Sequence, residues 1–308
     1  MACDKCFEKP VIKVTGSENS FCKACFFKYF EKKVKKTITK YNLIEKNDHI
    51  IVAVSGGKDS TVLLNLLVKV LKGRDDVKIT ALAIDEGIKG YRDKSLEHIK
   101  KICEDLKVEL KLFSYEKEFG KSLDEILKTY KGIPCSVCGV FRRYLLNKKS
   151  KEIGGNKLAT GHNMDDEAQT ILMNNFRNNI KVSARMGPIT GIISDKRFIK
   201  RIKPLYFLTE KEITSYAYLK GLMDKFNECR HDSDSYRAQV RDMLNDFEAK
   251  YEGTKNGIIT AFLEILPLLK KHYKEEEFDE IQNCKICEEP CSGEICKACT
   301  FVEKVIKN

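Results

Sequence analysis

The run Ser55-Gly56-Gly57-Lys58-Asp59-Ser60 limits the possible folds more than any other stretch of the chain. Before it stands Ile50-Ile51-Val52-Ala53-Val54, short, largely β-branched and flanked by polar residues, which reads as a buried strand. After it, Leu63, Leu67, Val70 and Leu71 recur at helical spacing as far as Gly73. The order is strand, glycine turn, helix. Two adjacent glycines let the backbone approach a bound anion with no Cβ in the way. The helix opening at Asp59-Ser60 offers free N–H groups and the positive end of its dipole. The stretch therefore reads as a phosphate cradle, although a P-loop would place four residues between its glycines.

The same alternation continues downstream. Strands are expected at 50–54, 77–84, 108–113 and 157–160, and helices at 60–72, 92–106, 121–130, 138–152 and 164–177. Such alternation predicts an α/β fold with a parallel sheet covered by helices on both faces. Ligands of such sheets sit at the carboxyl ends of the strands, near a switch in strand order. Three strand ends carry suitable residues: the turn after Ala53 and Val54, Asp85-Glu86-Gly87, and Gly161-His162-Asn163. Further helices are expected from Thr209 to Leu222, with a capping box of Thr209 and Glu212, from Tyr236 to Tyr251 and from Asn256 to Tyr273. No apolar run approaches a membrane span, and Met1-Ala2-Cys3-Asp4-Lys5-Cys6 lacks the apolar stretch of a signal peptide, so a cytoplasmic chain with no membrane partner is expected. The net charge of +11 favours a polyanionic partner. Lys28, Lys32, Lys33, Lys35 and Lys36 crowd an expected helix at 26–46, which either is a solvated face or tracks phosphates.

Thirteen cysteines in a chain of this compartment point to metal ligation rather than disulfides. Cys3-x-x-Cys6 and Cys22-x-x-Cys25 have the spacing of a four-thiolate zinc site, which can hold a small unit together without a core. Near the other end Cys284, Cys287, Cys296 and Cys299 repeat the pattern, with Cys291 a spare or substitute ligand. Cys103 lies on an amphipathic helix as a small core residue. Cys135, Cys138 and Cys229 remain. The first two stand at a loop-to-helix junction in Pro134-Cys135-Ser136-Val137-Cys138-Gly139, where a helix N-terminus favours the thiolate. Three thiolates would leave one iron of a four-iron cluster free of protein ligands. A third structural zinc and a redox pair fit the spacing equally well.

The Ser55–Ser60 run resembles the PP-loop of the ATP pyrophosphatase superfamily, whose members split ATP between the α and β phosphates and form adenylated intermediates. The run from Pro134 to Arg143, the run Ala159 to Thr170, the Lys203-Pro204-Leu205 block and Glu228-Cys229-Arg230 together resemble the TtcA/TtuA family of tRNA 2-thiolation enzymes. The paired cysteine knuckles at both ends match the TtuA branch, which includes the catalytic subunit of cytoplasmic wobble-uridine 2-thiolation. The resemblance spans essentially the whole chain. It implies a PP-loop, adenine nucleotide α-hydrolase-like domain flanked by zinc-binding domains, with boundaries at 1–28, 29–46 (basic linker helix), 47–225 (catalytic), 226–279 (helical, carrying Cys229) and 280–308.

It further implies ATP, Mg²⁺, two Zn²⁺ and a [4Fe-4S] cluster, or its [3Fe-4S] form, on Cys135, Cys138 and Cys229. The nucleotide would meet Ala53, Val54, Ser55, Gly56, Gly57, Lys58, Asp59, Ser60, Asp85, Gly161 and His162. The acids implied are Asp59 and one of Asp165 and Asp166; the structural alternatives are Asp59 as N-cap of helix 60–72 and Asp165 as the start of helix 164–177, and capping is compatible with catalysis. The implied reaction adenylates the C2 oxygen of a tRNA uridine and replaces it with sulfur. The sulfur would come from a ubiquitin-like thiocarboxylate carrier or sulfide and attack from the cluster or as a cysteine persulfide. The implied assembly is a homodimer. Arg142 and Arg143 are candidates for phosphate contact. An amidating or lysidine-forming PP-loop ligase would not need the three cysteines, and a zinc-ribbon RNA-binding module would leave the PP-loop without a purpose.

Overall fold

A computed structural model of the protein describes residues 2–193, 197–223, 229, 236–274 and 281–306. The chain begins with a hairpin, β1 (Ile12–Lys13) and β2 (Ser20–Phe21), followed by α1 (Lys23–Lys40). The central part runs β3 (His49–Ala53), α2 (Lys58–Val70), β4 (Lys78–Asp85), α3 (Arg92–Leu106), β5 (Glu109–Ser114), α4 (Tyr115–Phe119), α5 (Leu123–Thr129) and α6 (Pro134–Glu152). It continues with β6 (Lys157–Ala159), α7 (Met164–Phe176), α8 (Ile180–Ala184), β7 (Lys200–Ile202) and α9 (Glu210–Lys220). After α10 (Tyr236–Lys250) and α11 (Thr254–His272) come a second hairpin, β8 (Gln282–Asn283) and β9 (Pro290–Cys291), and a last described helix, α12 (Lys297–Val305).

The five central strands form one parallel sheet in the order β5-β4-β3-β6-β7. Ile50 and Val52 of β3 enter the core shared with α1, α2 and α9. Ile51 between them enters the opposite core, shared with α5, α6 and α12. This alternation across a pleat explains the continuous apolar run, because both faces of the sheet are covered. Each such side chain contributes roughly 1.5–3 kcal/mol on burial.

The expected alternation is present, with local differences. α1 stops at Lys40 rather than 46, because Asn42 turns the chain into the left-handed region at φ 47°. The helix expected at 121–130 is α5, opened by a capping box of Ser122 and Glu125; the short α4 before it, ended by Gly120 at φ 80°, was not foreseen. α6 starts at Pro134, four residues before the expected 138, since a proline suits the first helical position. β7 was not foreseen: three residues of Lys-Arg-Ile are too short and too charged to announce a strand. The expected boundaries at 225/226 and 279/280 fall at residues outside those described.

The two cysteine quartets are built alike. After the second cysteine of each, Phe7 or Glu288 takes a left-handed φ of 62° or 60°. The turn is closed by Phe7 N–H to Cys3 O and by Glu288 N–H to Cys284 O, both 2.9 Å. A hairpin follows the knuckle in the first unit, whereas β8 and β9 flank it in the second; Cys22 or Cys296 then caps a helix that carries Cys25 or Cys299 in its first turn. The first unit packs through Phe27 and Phe30 on Tyr216 of α9. The second packs through Phe301 on Phe141 of α6 and Tyr130.

Candidate active site

The turn after β3 is held open by backbone geometry. Gly56 has φ 83°, and a Cβ there would stand 2.8 Å from Ser95 O, so no other residue fits without displacing α3. Gly57 needs no such freedom: at φ −76° it is the extended N-cap of α2, one residue before the helix begins at Lys58. It contributes no side-chain cap, which leaves the first N–H groups of α2 directed out of the helix end. Ser60 Oγ accepts from Ser55 N–H at 3.1 Å and donates to Gly57 O at 3.0 Å, which fixes the loop. Asp59 stands inside the first turn, not at the cap.

β6 delivers the facing wall. A Cβ on Gly161 would lie 3.0 Å from Ser60 N and from the Asp59 carbonyl carbon, so a glycine allows the two strand ends to meet. Because β4 and β6 flank β3 on opposite sides, this meeting point is where the strand order reverses, the ligand position of an open parallel sheet. A cavity of about 480 Å³ lies there. Ala53, Val54, Ser55, Asp59, Ser60, Gly161 and His162 line it, together with Asp166.

The cavity is rich in cations. Arg142 and Arg143 project from α6, Arg201 and Lys203 from β7 and just beyond it, and Arg237 from α10. Arg237 is fixed by Gln169 at 3.1 Å and Thr170 at 2.9 Å. Lys203 is buried against Glu167 at 2.7 Å. Arg92, buried under the loop, donates to Ser55 O at 2.6 Å and pairs with Glu86 at 2.9 Å. Enclosure by protein and the charges of Lys203, Arg201, Arg237 and Arg142 drive the His162 pKa down to about 3, so its imidazole is neutral near neutral pH. Enclosure and the neighbouring Arg143 lower Arg201 to about 10.

The acids divide by surroundings. Asp59 accepts from Asn163 at 3.1 Å and pairs with Lys58 at 3.2 Å; burial pushes its pKa up against the Lys58 charge. Burial works against the Lys58 charge too, but the carboxylates of Asp59 and Glu210 hold its pKa above the ordinary value. Asp166 closes a capping box with Asn163, and burial together with the Asp59 charge raises its pKa to about 6. Asp165 is satisfied elsewhere: it pairs with the buried Lys255 and accepts from Glu210 N–H at 2.7 Å. Asp85 accepts from Gly87 N–H and lines a neighbouring cavity.

Cys135 and Cys138 are the second and fifth residues of α6, Cys135 exposed and Cys138 buried. Cys229 is half-buried against the same apolar cluster as Cys138; its neighbours Glu228 and Arg230 lie outside the described residues. The helix terminus was expected to favour a Cys138 thiolate, yet burial pushes this thiol up, with Glu86 and Cys229 acting the same way and only Arg142 and Tyr115 opposing. Within each quartet all four sulfurs lie within 4.8 Å of one another, whereas Cys135, Cys138 and Cys229 form no such group among the described residues. That spacing does not suit a single ion. Three soft donors, each on a different iron, suit a cluster with one iron free of protein ligands. Cys291 stands apart from the tail quartet and donates to Gly293 O at 2.8 Å.

Arg92, Arg201 and Arg237 had no signal in the sequence. Each is remote from the recognised motifs or looks like ordinary surface charge, although Arg201 stands two residues before Lys203-Pro204-Leu205.

The family described as "PP-loop domain" matches residues 27–247. The chain is 36% identical to the "tRNA 2-thiolation protein NcsA" of Haloferax volcanii, over 99% of each chain. It is 38% identical to the "tRNA-5-methyluridine(54) 2-sulfurtransferase" of Pyrococcus horikoshii, over 98% of this chain and 93% of that one. Among solved structures, the "U34-tRNA thiolase NcsA from Methanococcus maripaludis with its [4Fe-4S] cluster" overlays with a TM-score of 0.83 at 31% identity, covering 99% of this chain and 96% of that one. A strand, glycine turn and helix at the reversal of a parallel sheet, with matches over nearly the whole length, give one result: the chain belongs to the PP-loop domain family.

Proposed function

We propose that the protein is an ATP-dependent tRNA sulfurtransferase that makes 2-thiouridine, adenylating the C2 oxygen of a tRNA uridine and replacing it with sulfur. The observation that carries this reading is one cationic cavity lined both by the phosphate-binding turn and by Arg142 and Arg143 of α6, the helix whose start carries Cys135 and Cys138. Relatives named for tRNA 2-thiolation over the same length support it.

Oxide is a poor leaving group from a pyrimidine carbonyl, and transfer of AMP from ATP converts it into a good one. In that step the uridine C2 oxygen bonds to the α-phosphorus and pyrophosphate departs. The N–H groups at the start of α2, with Ser55 and Ser60, hold the pyrophosphate end. Asp59 and Asp166, two acids beside a polyanion, are the groups suited to Mg²⁺. A bound Mg²⁺ would favour the carboxylate form of both. Asp165 is a positioning residue, since its oxygens are taken by Lys255 and Glu210. Arg142, Arg143 and Arg201 offset the charge that builds on the α-phosphate and that AMP carries away. His162, neutral and bonded to Thr160 Oγ1 at 2.9 Å, orients by hydrogen bonding rather than by charge.

Cys135, Cys138 and Cys229 would hold the [4Fe-4S] cluster, which supplies an open iron at which sulfide is presented as a nucleophile. The two quartets would each hold Zn²⁺ as closed structural sites. The sulfur donor is either sulfide or a thiocarboxylate carrier, and the assembly a homodimer, as in the resembling family.

The test is anaerobic reconstitution with iron and sulfide, followed by incubation with ATP, Mg²⁺, sulfide and a tRNA transcript. Mass spectrometry of the nucleosides should show 2-thiouridine, with one AMP and one pyrophosphate formed per modification. Modified nucleoside carrying nitrogen in place of sulfur, or thiolation at full rate by protein containing zinc alone, would sink the proposal.

A further inference from the structure

The lysines of α1 take no part in the nucleotide cavity, and their arrangement is regular. Lys28, Lys32, Lys36 and Lys40 follow one another at i, i+4 along one ridge of the helix, and all four are exposed. No carboxylate pairs with any of them among the described residues. Glu31, the only acid of α1, is taken by Lys69 at 2.6 Å and by the Tyr216 hydroxyl at 3.3 Å. Lys33, off the ridge, pairs with Glu212 at 3.1 Å. Like charges at this spacing repel and weaken a helix, whereas a merely solvated face gains from acids set between them. Burial of Phe26, Phe30, Val34 and Ile38 holds α1 in place against that repulsion.

The basic surface extends past both ends of the ridge. Near the start of α1, Lys23 and Lys220 stand over the Phe27 ring at 6.0 and 4.4 Å. At its end Lys40 stands over Tyr41 and Phe207 at 5.2 and 6.0 Å, and these two rings stack at 5.7 Å. The rings hold the lysine stems while the ammonium groups stay in water. Beside them a cavity of about 260 Å³ opens between Lys36 and Lys40 on one side and Met164, Phe207 and Asn256 on the other. Met164 is the first residue of α7, two before Asp166 of the nucleotide cavity, so the ridge leads toward the catalytic end of the sheet. No large apolar side chain of α1 is exposed.

We propose that α1 is the docking surface for the phosphate backbone of the tRNA, with Lys28, Lys32, Lys36 and Lys40 as a track of phosphate contacts that Lys23 and Lys220 extend. The inference rests on the reading of the protein as a tRNA-modifying enzyme. A step of four residues advances about 6 Å along a helix, close to the separation of neighbouring phosphates on one strand. A polyanion with that even spacing turns the mutual repulsion of the lysines into attraction and releases its own counterions. A lipid surface or an acidic protein would bury apolar side chains beside the charges, and α1 offers none. Contacts of this kind carry no sequence information; they hold the RNA in register while the nucleotide cavity receives the uridine.

The experiment compares the full-length wild type with a variant carrying Lys28→Ala, Lys32→Ala, Lys36→Ala and Lys40→Ala, and with one in which the same four are changed to Arg. Each is tested by filter binding of a tRNA transcript over a salt series, with Mg-ATP calorimetry and a melting curve alongside. The alanine variant should bind tRNA about tenfold more weakly or worse, and its slope of log K against log salt should shrink by about 1 for each lysine removed. The arginine variant should bind as the wild type does. Mg-ATP affinity should stay at the wild-type value in both. The melting temperature of the alanine variant should stay within a few degrees of wild type, since the repulsion is gone and alanine favours a helix. Should that variant fail to fold, Lys32→Ala with Lys36→Ala decides the matter through a slope smaller by about 2. Wild-type affinity and slope in the folded alanine variant overturn the proposal and leave the thiolation reading standing. So does unchanged tRNA binding with thiolation lost from a protein thiocarboxylate but kept from sulfide, which assigns the ridge to an acidic carrier. A protein whose tRNA binding depends on the ridge yet forms no 2-thiouridine keeps this surface and removes the thiolation reading instead.

Discussion

The two cysteine quartets and the set of Cys135, Cys138 and Cys229 use the same side chain for opposite ends. In each quartet the knuckle aims backbone N–H groups at its first sulfur. Burial opposes the charge of Cys3, but hydrogen bonds from the backbone of Cys22, Lys5 and Cys6 lower its pKa to about 6, and Cys284 is lowered to about 6 by the matching groups of Cys296, Cys287 and Ile286. Four converging sulfurs leave a metal no open position, and the hairpin and helix around them are too small to hold together by apolar burial alone. The third set has no such closure. Its members come from one helix end and a distant residue, one is exposed, and the charge of Arg142, which lines the arginine-rich cavity, acts on Cys138. On the function proposed above, the closed groups serve structure and the open set serves chemistry. Asp165 and Asp166 repeat the contrast within two residues: one carboxylate is saturated by partners, and its neighbour faces the cavity with a raised pKa.

The largest effect should come from exchanging the two cysteine classes. Cys138→Ser in the reconstituted enzyme should cut 2-thiouridine formation about a thousandfold or more, on the scale of losing a metal's several kcal/mol of charge stabilisation. Its melting temperature without the cluster should stay within a few degrees of wild type. Cys25→Ser should act in reverse, lowering the thermal stability of the first unit while the visible iron–sulfur absorbance remains. Absorbance and melting curves on both variants check this. A Cys138→Ser protein that keeps wild-type turnover breaks the distinction.

The paired acids give the next effect. Asp165→Asn leaves Lys255 buried without its counter-charge, and breaking a buried pair in this way costs about 3–5 kcal/mol. Asp166→Asn should spare stability but lower turnover about a hundredfold. pH separates them further. The Asp166 pKa rises from an ordinary 3.8 to about 6, so between those values the folded chain keeps a proton that the unfolded chain releases. This acid therefore makes the nucleotide-free protein less stable as pH climbs from about 4 to about 6, with no further change above. Melting temperature against pH should lose that component in Asp166→Asn and keep it in Asp165→Asn.

The legible features were those in which chemistry depends on local spacing. Cys-x-x-Cys pairs, the Ser55–Ser60 turn and the apolar β3 each need only a few consecutive residues, and each could be read directly. The roles of Asp165 and Asp166 could not, because the partner that separates them, Lys255, is ninety residues away on α11. Arg92, Arg201 and Arg237 were hidden for the same reason: an arginine's function depends on which anion-lined or cation-lined space the fold turns it toward. β7 escaped because an edge strand of three residues is defined by its neighbour β6, not by its own composition.

The smallest effect concerns Cys291. Its position between the two cysteine pairs of the tail made it a rival ligand in the sequence, yet it lies on β9, outside the four-sulfur group, with its thiol on Gly293 O. Cys296 and Cys299 open α12, and Cys284 and Cys287 stand on the knuckle, so the group of four sulfurs is complete without it. Cys291→Ser keeps a donor able to reach the same carbonyl and should therefore change stability by no more than about 0.5 kcal/mol. Zinc content should stay at the wild-type value, whereas Cys287→Ser should lose one of the two equivalents. Metal analysis of the two variants side by side reads the difference, and loss of a zinc equivalent from Cys291→Ser would mean that the tail site draws on five cysteines and is not closed in the way the first quartet is.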